Sequence, residues 1–338
     1  MKKTTIKDVA QKADVSPSTV SRVISDSPNI SDSTKHRVRK IMEEMNYHPN
    51  AIARSLVTQK TNTIGLVMAR PTDRAFANPF FSEVIRGIAD IAQSKHYNLL
   101  FSAAENYYTE SEETLSLVKN GRVDGLILMA SRANDKLIEY LQSYRYPFVL
   151  IGRSPHYDNL PRVDNDNIKA AYDMMNFLIK NNNKKIALIA GPDDYIVSRD
   201  RIEGYKNALK ESNIKFDENL IKYTDFSYKE GYKAVKELLR SIPDLDVIFA
   251  IDDLLAIAAL NSIKEHGLNI PRDVGVVGFN DQTLSSYIEP NLTTVRIPII
   301  EMGKKAATML IKMINNPEYN GEEKIIPTKI IARKTHKN

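Results

Sequence analysis

Apolar residues recur at two different spacings along this chain, and the change from one to the other divides it. In TIKDVAQKADVSPSTVSRVI, residues 5–24, Ile6, Val9, Ala10 and Ala13 follow at offsets of three and four, which predicts one apolar helix face. Thr5 is a suitable N-cap, and Asp8 favours the positive end of the helix dipole. Asp14-Val15 makes a joint, after which Ser16 caps a second helix with Pro17 in its first turn. Val20, Val23 and Ile24 point inward, leaving Ser18, Thr19, Ser21 and Arg22 outside. A third helix is predicted from Ser31, with Val38, Ile41, Met42 and Met45 inside and Lys35, Arg37, Arg39 and Lys40 outside, and Tyr47 closes the core. Three helices in under fifty residues bury little surface, so this unit should be marginal alone.

From Asn50 a helix of about two turns, too short to persist alone in water, leads into the polar run 58–62. Its outer face carries Ala53 and Leu56, with Arg54 alongside. An apolar wedge beside a cation suits the minor groove of kinked DNA, while a linker helix packed on the next domain is the competing reading. From Thr63 the spacing changes: short β-rich runs alternate with amphipathic stretches, beginning with Ile64–Ala69 and Pro79–Ser94 and continuing to Leu254–His266 and Val274–Phe279. That alternation predicts parallel sheets covered on both faces, and some ten strands are too many for one compact sheet. Two doubly wound lobes follow, with a ligand between them at the C-terminal ends of the strands. Leu292–Ile297, Ile299–Ile314 and Lys324–Ala332 add a strand, a helix and a last strand, whose lobes the pattern alone does not assign.

Charge sharpens this division. Residues 1–60 hold 11 Lys+Arg and 6 Asp+Glu, whereas the remainder balances at 36 of each, so all the net charge of +5 lies in the first sixth. A polyanion partner fits the basic segment through counterion release, and a solvated basic face is the alternative. Small hydroxyls and one arginine on the second helix suit the major groove of DNA. No run of about eighteen apolar residues exists, so no membrane span is expected. The N-terminus lacks an apolar signal region, and cysteine is absent, so a reducing cytoplasm is the expected setting.

Catalytic signatures are scarce. Neither a G-x-G-x-x-G, a P-loop nor a G-x-S-x-G sequence occurs, and the six histidines are scattered, so neither catalytic nor metal-binding residues nor a cofactor are expected. Polar groups do recur at strand exits: Asn78 before Pro79, Arg153 after 148–152, Arg201 on the helix after Gly191, Asp252-Asp253 after 247–251, and Asn280-Asp281 after Phe279. Phe80, Phe81 and Phe226 add aromatic faces. Carboxylates, amides and arginines bond vicinal hydroxyls while rings cover the apolar sugar face, so the set describes a carbohydrate site. Asp253 is read as the cap of the next helix, Phe81 as core, and Arg199 and Arg201 can instead be surface ion-pair members.

These residues resemble the LacI/GalR family of bacterial transcription regulators. The resemblance is carried by residues 5–24, by NYHPNAIARSLVTQKTNTIGLV at 46–67, VDNDN at 163–167, DRIEGY at 200–205, VVGFND at 276–281 and LTTVRIP at 292–298, and covers essentially the whole chain. Within the family, NPFF at 78–81, IGR at 151–153 and VDNDN look most like maltose-operon repressors of Gram-positive bacteria. The resemblance implies an all-α helix-turn-helix head (1–48), a hinge helix and linker (49–61), and a periplasmic-binding-protein-like α/β core (62–338) of two doubly wound parallel-sheet lobes. Lobe one would take about 62–160 plus 292–322, and lobe two about 162–290 plus 324–335, with three crossings between them. It implies a homodimer on a near-palindromic double-stranded DNA operator, released by a small sugar effector, in the cytoplasm on the nucleoid. Pro17, Ser18, Arg22 and the wedge Leu56 would read bases, while Thr5, Ser16, Thr19, Ser21, Asn29 and Asn50 would hold phosphates. Asn78, Phe80, Arg153, Arg201, Phe226, Asp252 and Asn280 would bind the effector, with the two phenylalanines stacking. No terminal leucine heptad is present, so a tetramer is not expected. A sugar-binding module without DNA, a regulator answering another sugar or a nucleoside, and a two-lobe enzyme are the competing functions.

Overall fold

The structure is a computed structural model that describes residues 4–47, 60–68, 76–102, 107–129 and 135–337. The chain divides into two units, 1–61 and 62–338. In the first, α1 (Ile6–Lys12), α2 (Pro17–Ile24) and α3 (Asp32–Glu44) start at the caps Thr5, Ser16 and Ser31. The Thr5 hydroxyl accepts from the Asp8 amide, and the Asp8 carboxylate accepts from the Thr5 amide in return. Asp14, at φ +52°, turns the chain between α1 and α2. Val9, Ala10, Ala13, Val20, Val23 and Val38 form the core, and Ile41, Met42, Met45 and Tyr47 pack against it. The expected hinge helix, with Asn50, Arg54 and Leu56, lies outside the described residues.

Among the described residues of the second unit, twelve strands form two six-stranded sheets. Sheet one contains β1 (Thr63–Val67), β2 (Asn98–Ser102), β3 (Gly125–Leu128), β4 (Phe148–Ile151), β5 (Arg162–Asn165) and β11 (Glu323–Ile326), in the order β11-β5-β4-β3-β1-β2 and all parallel. Sheet two contains β6 (Ile186–Ala190), β7 (Ile221–Tyr223), β8 (Val247–Ala250), β9 (Gly275–Asn280), β10 (Thr293–Arg296) and β12 (Lys329–Ile331), in the order β12-β10-β9-β8-β6-β7, with only β12 antiparallel. The strand order reverses beside β1 in one sheet and beside β6 in the other, so each lobe has a switch point at its C-terminal edge.

Helices α4 (Pro79–Ser94), α5 (Tyr107–Lys119), α6 (Lys136–Ser143) and α11 (Ile299–Asn315) belong to lobe one. Successive strand residues face opposite sides. Ile127 and Val149 join the core beneath α4 and α11, while Leu126, Leu128 and Leu150 join the cluster containing Leu137 and Leu141 of α6. A Cβ on Gly87 would lie 2.1 Å from the Ile300 carbonyl oxygen, and one on Gly303 2.2 Å from that of Val84. Only glycine permits the α4–α11 crossing at that spacing. Lobe two carries α7 (Asn167–Lys180), α8 (Ile196–Glu211), α9 (Tyr228–Ser241) and α10 (Asp253–Glu265).

Three lobe expectations need correction. β5 pairs in parallel with β4 and β11, so 162–165 belongs to lobe one and the first crossing follows it. β10 pairs with β9, so the strand within 292–297 belongs to lobe two, and the chain crosses only afterwards, before α11. The expected last strand 324–332 is two strands, β11 in lobe one and β12 in lobe two. Pro327 separates them, because it lacks the N–H that a continuous ladder requires.

Candidate functional site

On the head, Pro17, Ser18 and Arg22 are exposed on α2, and Thr19 and Ser21 are half-buried beside them. Thr5, Ser16 and Asn29 are exposed. Ser16 Oγ lies 2.7 Å from Ser18 Oγ and 2.9 Å from Thr19 Oγ1, so three hydroxyls gather at the start of α2. Among the described residues Arg22 has no carboxylate partner, whereas Lys12 pairs with Glu44, and Lys35 and Arg39 share Asp26. Lys35, by its hydrogen bond, and then Arg39 hold the Asp26 carboxyl below its ordinary range. The guanidinium of Arg22 is therefore exposed on α2 without an ion pair to a described carboxylate. Leu56 and Asn50 lie outside the described residues.

In the core, all seven sequence-derived effector residues line one cleft between the lobes, with about 680 Å³ of space, mouth included. Asn78 caps α4 and Asp252 caps α10, and the two caps meet: Asn78 Nδ2 donates to Asp252 Oδ2 at 3.0 Å. Asn280 Nδ2 donates to the same oxygen at 3.0 Å, while Asp252 Oδ1 accepts from the Leu254 amide at 2.9 Å. The expected cap, Asp253, is instead the first residue of α10 and fully buried, accepting from Thr294, Ser285 and the Gln282 amide. Its side chain turns into lobe two, so the capping position falls to the preceding aspartate.

Arg201 is buried rather than a surface ion-pair member. Its guanidinium lies 3.6 Å from the centre of the Phe279 ring and donates to Asn167 Oδ1 at 2.9 Å, to the Ile251 carbonyl and, at 3.5 Å, to Asn280 Oδ1. Burial pulls its pKa down to about 10, against the opposing pull of Asp252, Asp164 and Asp200, so it remains a cation at neutral pH. Arg153, from lobe one, clasps Asp200 of α8 through both Nε and Nη2. Asp200 holds the Arg153 guanidinium above its ordinary pKa. Burial pushes Asp164 up to about 7; the Asn165 amide opposes the rise, and the Asp200 charge adds to it. Phe80 from lobe one and Phe226 from lobe two both line the cleft, Phe226 edge-on to Tyr195 at 6.0 Å. Phe81 is core, as expected, and also reaches the cleft wall.

Sequence reasoning missed Asp164, Asn165, Asn167 and Asp200 as lining residues, and Gln282, which donates to Asn78 Oδ1 at 3.0 Å. VDNDN contained the first three and DRIEGY the fourth, each beside a strand or helix end already facing the cleft. Donors, carboxylates and rings of this kind can bond hydroxyls and cover an apolar ring face. No group of three His, Cys, Asp or Glu among the described residues is placed to hold a metal ion. No helix among them is long and apolar enough to cross a membrane.

Residues 5–50 match the bacterial regulatory proteins of the lacI family, and residues 61–334 match periplasmic binding proteins and the sugar binding domain of the LacI family. The HTH-type transcriptional regulator MalR of Streptococcus pneumoniae is 38% identical over 97% of this chain and 99% of its own length. The structure of a CelR–cellobiose complex is similar with a TM-score of 0.76 at 31% identity, over 98% of this chain and all of that one. The Lac repressor dimer bound to operator and an anti-inducer has a TM-score of 0.86 over 99% of each chain and, at 24% identity, speaks for the fold alone. With a regulatory head and a sugar-binding core matched in order along nearly its whole length, the chain belongs to the LacI family of transcription regulators and not to a family of enzymes.

Proposed function

We propose that the protein is a homodimeric repressor whose operator binding is released by maltose or a maltodextrin. The convergence of Asn78, Phe80, Arg153, Arg201, Phe226, Asp252 and Asn280 on one cleft carries this reading. Three further lining residues, Asp164, Asn165 and Asn167, come from VDNDN, one of the motifs that resemble maltose-operon repressors. The CelR relative, solved with cellobiose, supports a disaccharide-sized effector. On the head, Pro17, Ser18 and Arg22 read bases, and Thr5, Ser16, Thr19, Ser21 and Asn29 contact phosphates, with Asn50 and Leu56 completing the grip from the hinge. Two heads on a dimer match the two halves of a near-palindromic operator. The setting is the cytoplasm, where the operator is found.

Titration calorimetry with maltose, maltotriose, cellobiose and ribose tests the effector. Maltose or maltotriose binding tightest supports the proposal. Cellobiose or ribose binding tightest would leave a regulator of this family answering another sugar.

A further inference from the structure

The turn that ends β9 is held in an unfavourable backbone conformation from two sides. Asn280 and Asp281 have φ of +114° and +57°, so two successive residues with side chains occupy the left-handed half of backbone space. Such residues persist where the surroundings over-determine them. Here the Asp281 carboxylate is almost fully covered, accepting from Arg296 Nε at 2.5 Å on one oxygen and from Arg333 Nη2 at 2.6 Å on the other. Arg333 is itself fixed: Nη1 donates to the Leu292 carbonyl at 2.7 Å, and its amide donates to Thr293 Oγ1 at 2.8 Å.

Both arginines lie next to interlobe crossings. Arg296 ends β10 in register with Asn280, just before the chain passes to α11 in lobe one. Arg333 follows β12, the strand that receives the last crossing from β11. The residues flanking Asp281 face the cleft network: Asn280 donates to Asp252, and Gln282 donates to Asn78 of lobe one. Arg296, Asp281 and Arg333 themselves do not line the cavity.

We propose that Asp281 is a positioning residue of the effector cleft, clamped by Arg296 and Arg333 so that movement of the crossing segments reaches Asn280, Gln282 and, through them, Asn78. The inference rests on the cleft being the effector site. Its mechanism is mechanical: the clamp stabilises the turn, the turn aims two amides, and one amide ties lobe two to lobe one. Loosening either arginine therefore loosens a contact in the opposite lobe.

Hydrogen–deuterium exchange on the unliganded full chain tests this without any sugar, so a wrong effector assignment would not affect the outcome. Arg333→Met should speed exchange about tenfold at 280–283 and also at 78–82. Arg296→Met should act in the same direction and more weakly, and it carries the test if Arg333→Met fails to fold. Asp281→Gly relieves the backbone strain at 281, because glycine takes positive φ readily. In that background Arg333→Met should leave 78–82 unchanged. Faster exchange confined to 326–337, no change at 280–283 in Arg296→Met, or an equal response at 78–82 with glycine at 281 would each overturn the proposal.

Discussion

Arg22 and Arg201 show two ways in which this chain uses the same side chain. Arg22 is exposed on a short helix with no carboxylate partner among the described residues. Arg201 is buried, stacked on Phe279 and bonded to Asn167, Ile251 and Asn280. A surface reader keeps its hydrogen-bonding capacity for its target, so its removal costs binding and little stability. A buried cleft residue is part of a network whose members satisfy one another, so its removal costs stability and binding together. If Arg22 reads the operator and Arg201 the effector as proposed, the head separates folding from recognition, and the cleft does not.

The largest test of that contrast is Arg201→Ala. Removing the buried guanidinium leaves the Asn167, Asn280 and Ile251 oxygens without their donor and takes a cation from beside Asp252, at about 3–5 kcal/mol of core stability. Calorimetric unfolding should show that loss together with the loss of sugar response; a loss below about 1 kcal/mol would place Arg201 outside the network.

Asp164→Asn comes next. Asp164 has its pKa raised to about 7 by burial, so between its unfolded value of 3.8 and about 7 the native state holds a proton that the unfolded state has released. This group's contribution to stability is therefore retained at low pH and declines as pH climbs through that window. Asparagine removes the titration, so the variant should be more stable than the parent at pH 8 and show a flatter stability profile from pH 4 to 7. Denaturant titrations across that range check it, and an unchanged slope would show that Asp164 ionises normally.

Smallest, and opposite in kind, is Arg22→Ala. It should leave the unfolding temperature unchanged and cost roughly 1–3 kcal/mol at the operator, with nonspecific binding preserved. Equal losses on operator and random DNA, measured by fluorescence anisotropy, would reduce Arg22 to a phosphate contact.

Short-range interactions leave a signature in the sequence, and long-range ones do not. Local signals are read well: Thr5 and Ser16 are the expected caps, the third helix starts at Ser31, which caps it, and Pro79–Ser94 is a helix to the residue. Strand membership was not, because a buried parallel strand reads the same in either sheet, and 162–165 and 293–296 exchanged lobes for that reason. Two adjacent aspartates hid which one caps α10, since capping depends on one residue's backbone angle rather than on composition. The Arg153–Asp200 clasp and the Gln282–Asn78 tie span 47 and 204 residues of sequence, and no spacing rule reaches that far. Pro327 was the one overlooked local signal, since proline inside a β-rich run marks a break.

If occupancy of the cleft controls the head, operator and sugar binding must be reciprocal. Operator affinity is measured with and without saturating maltose or maltotriose, and the affinity of that sugar is measured on the unbound protein and on the operator complex. Linkage requires the two ratios to be equal, each weakening the other by the same factor. A sugar that binds the cleft while leaving operator affinity unchanged would show that cleft and head are not linked.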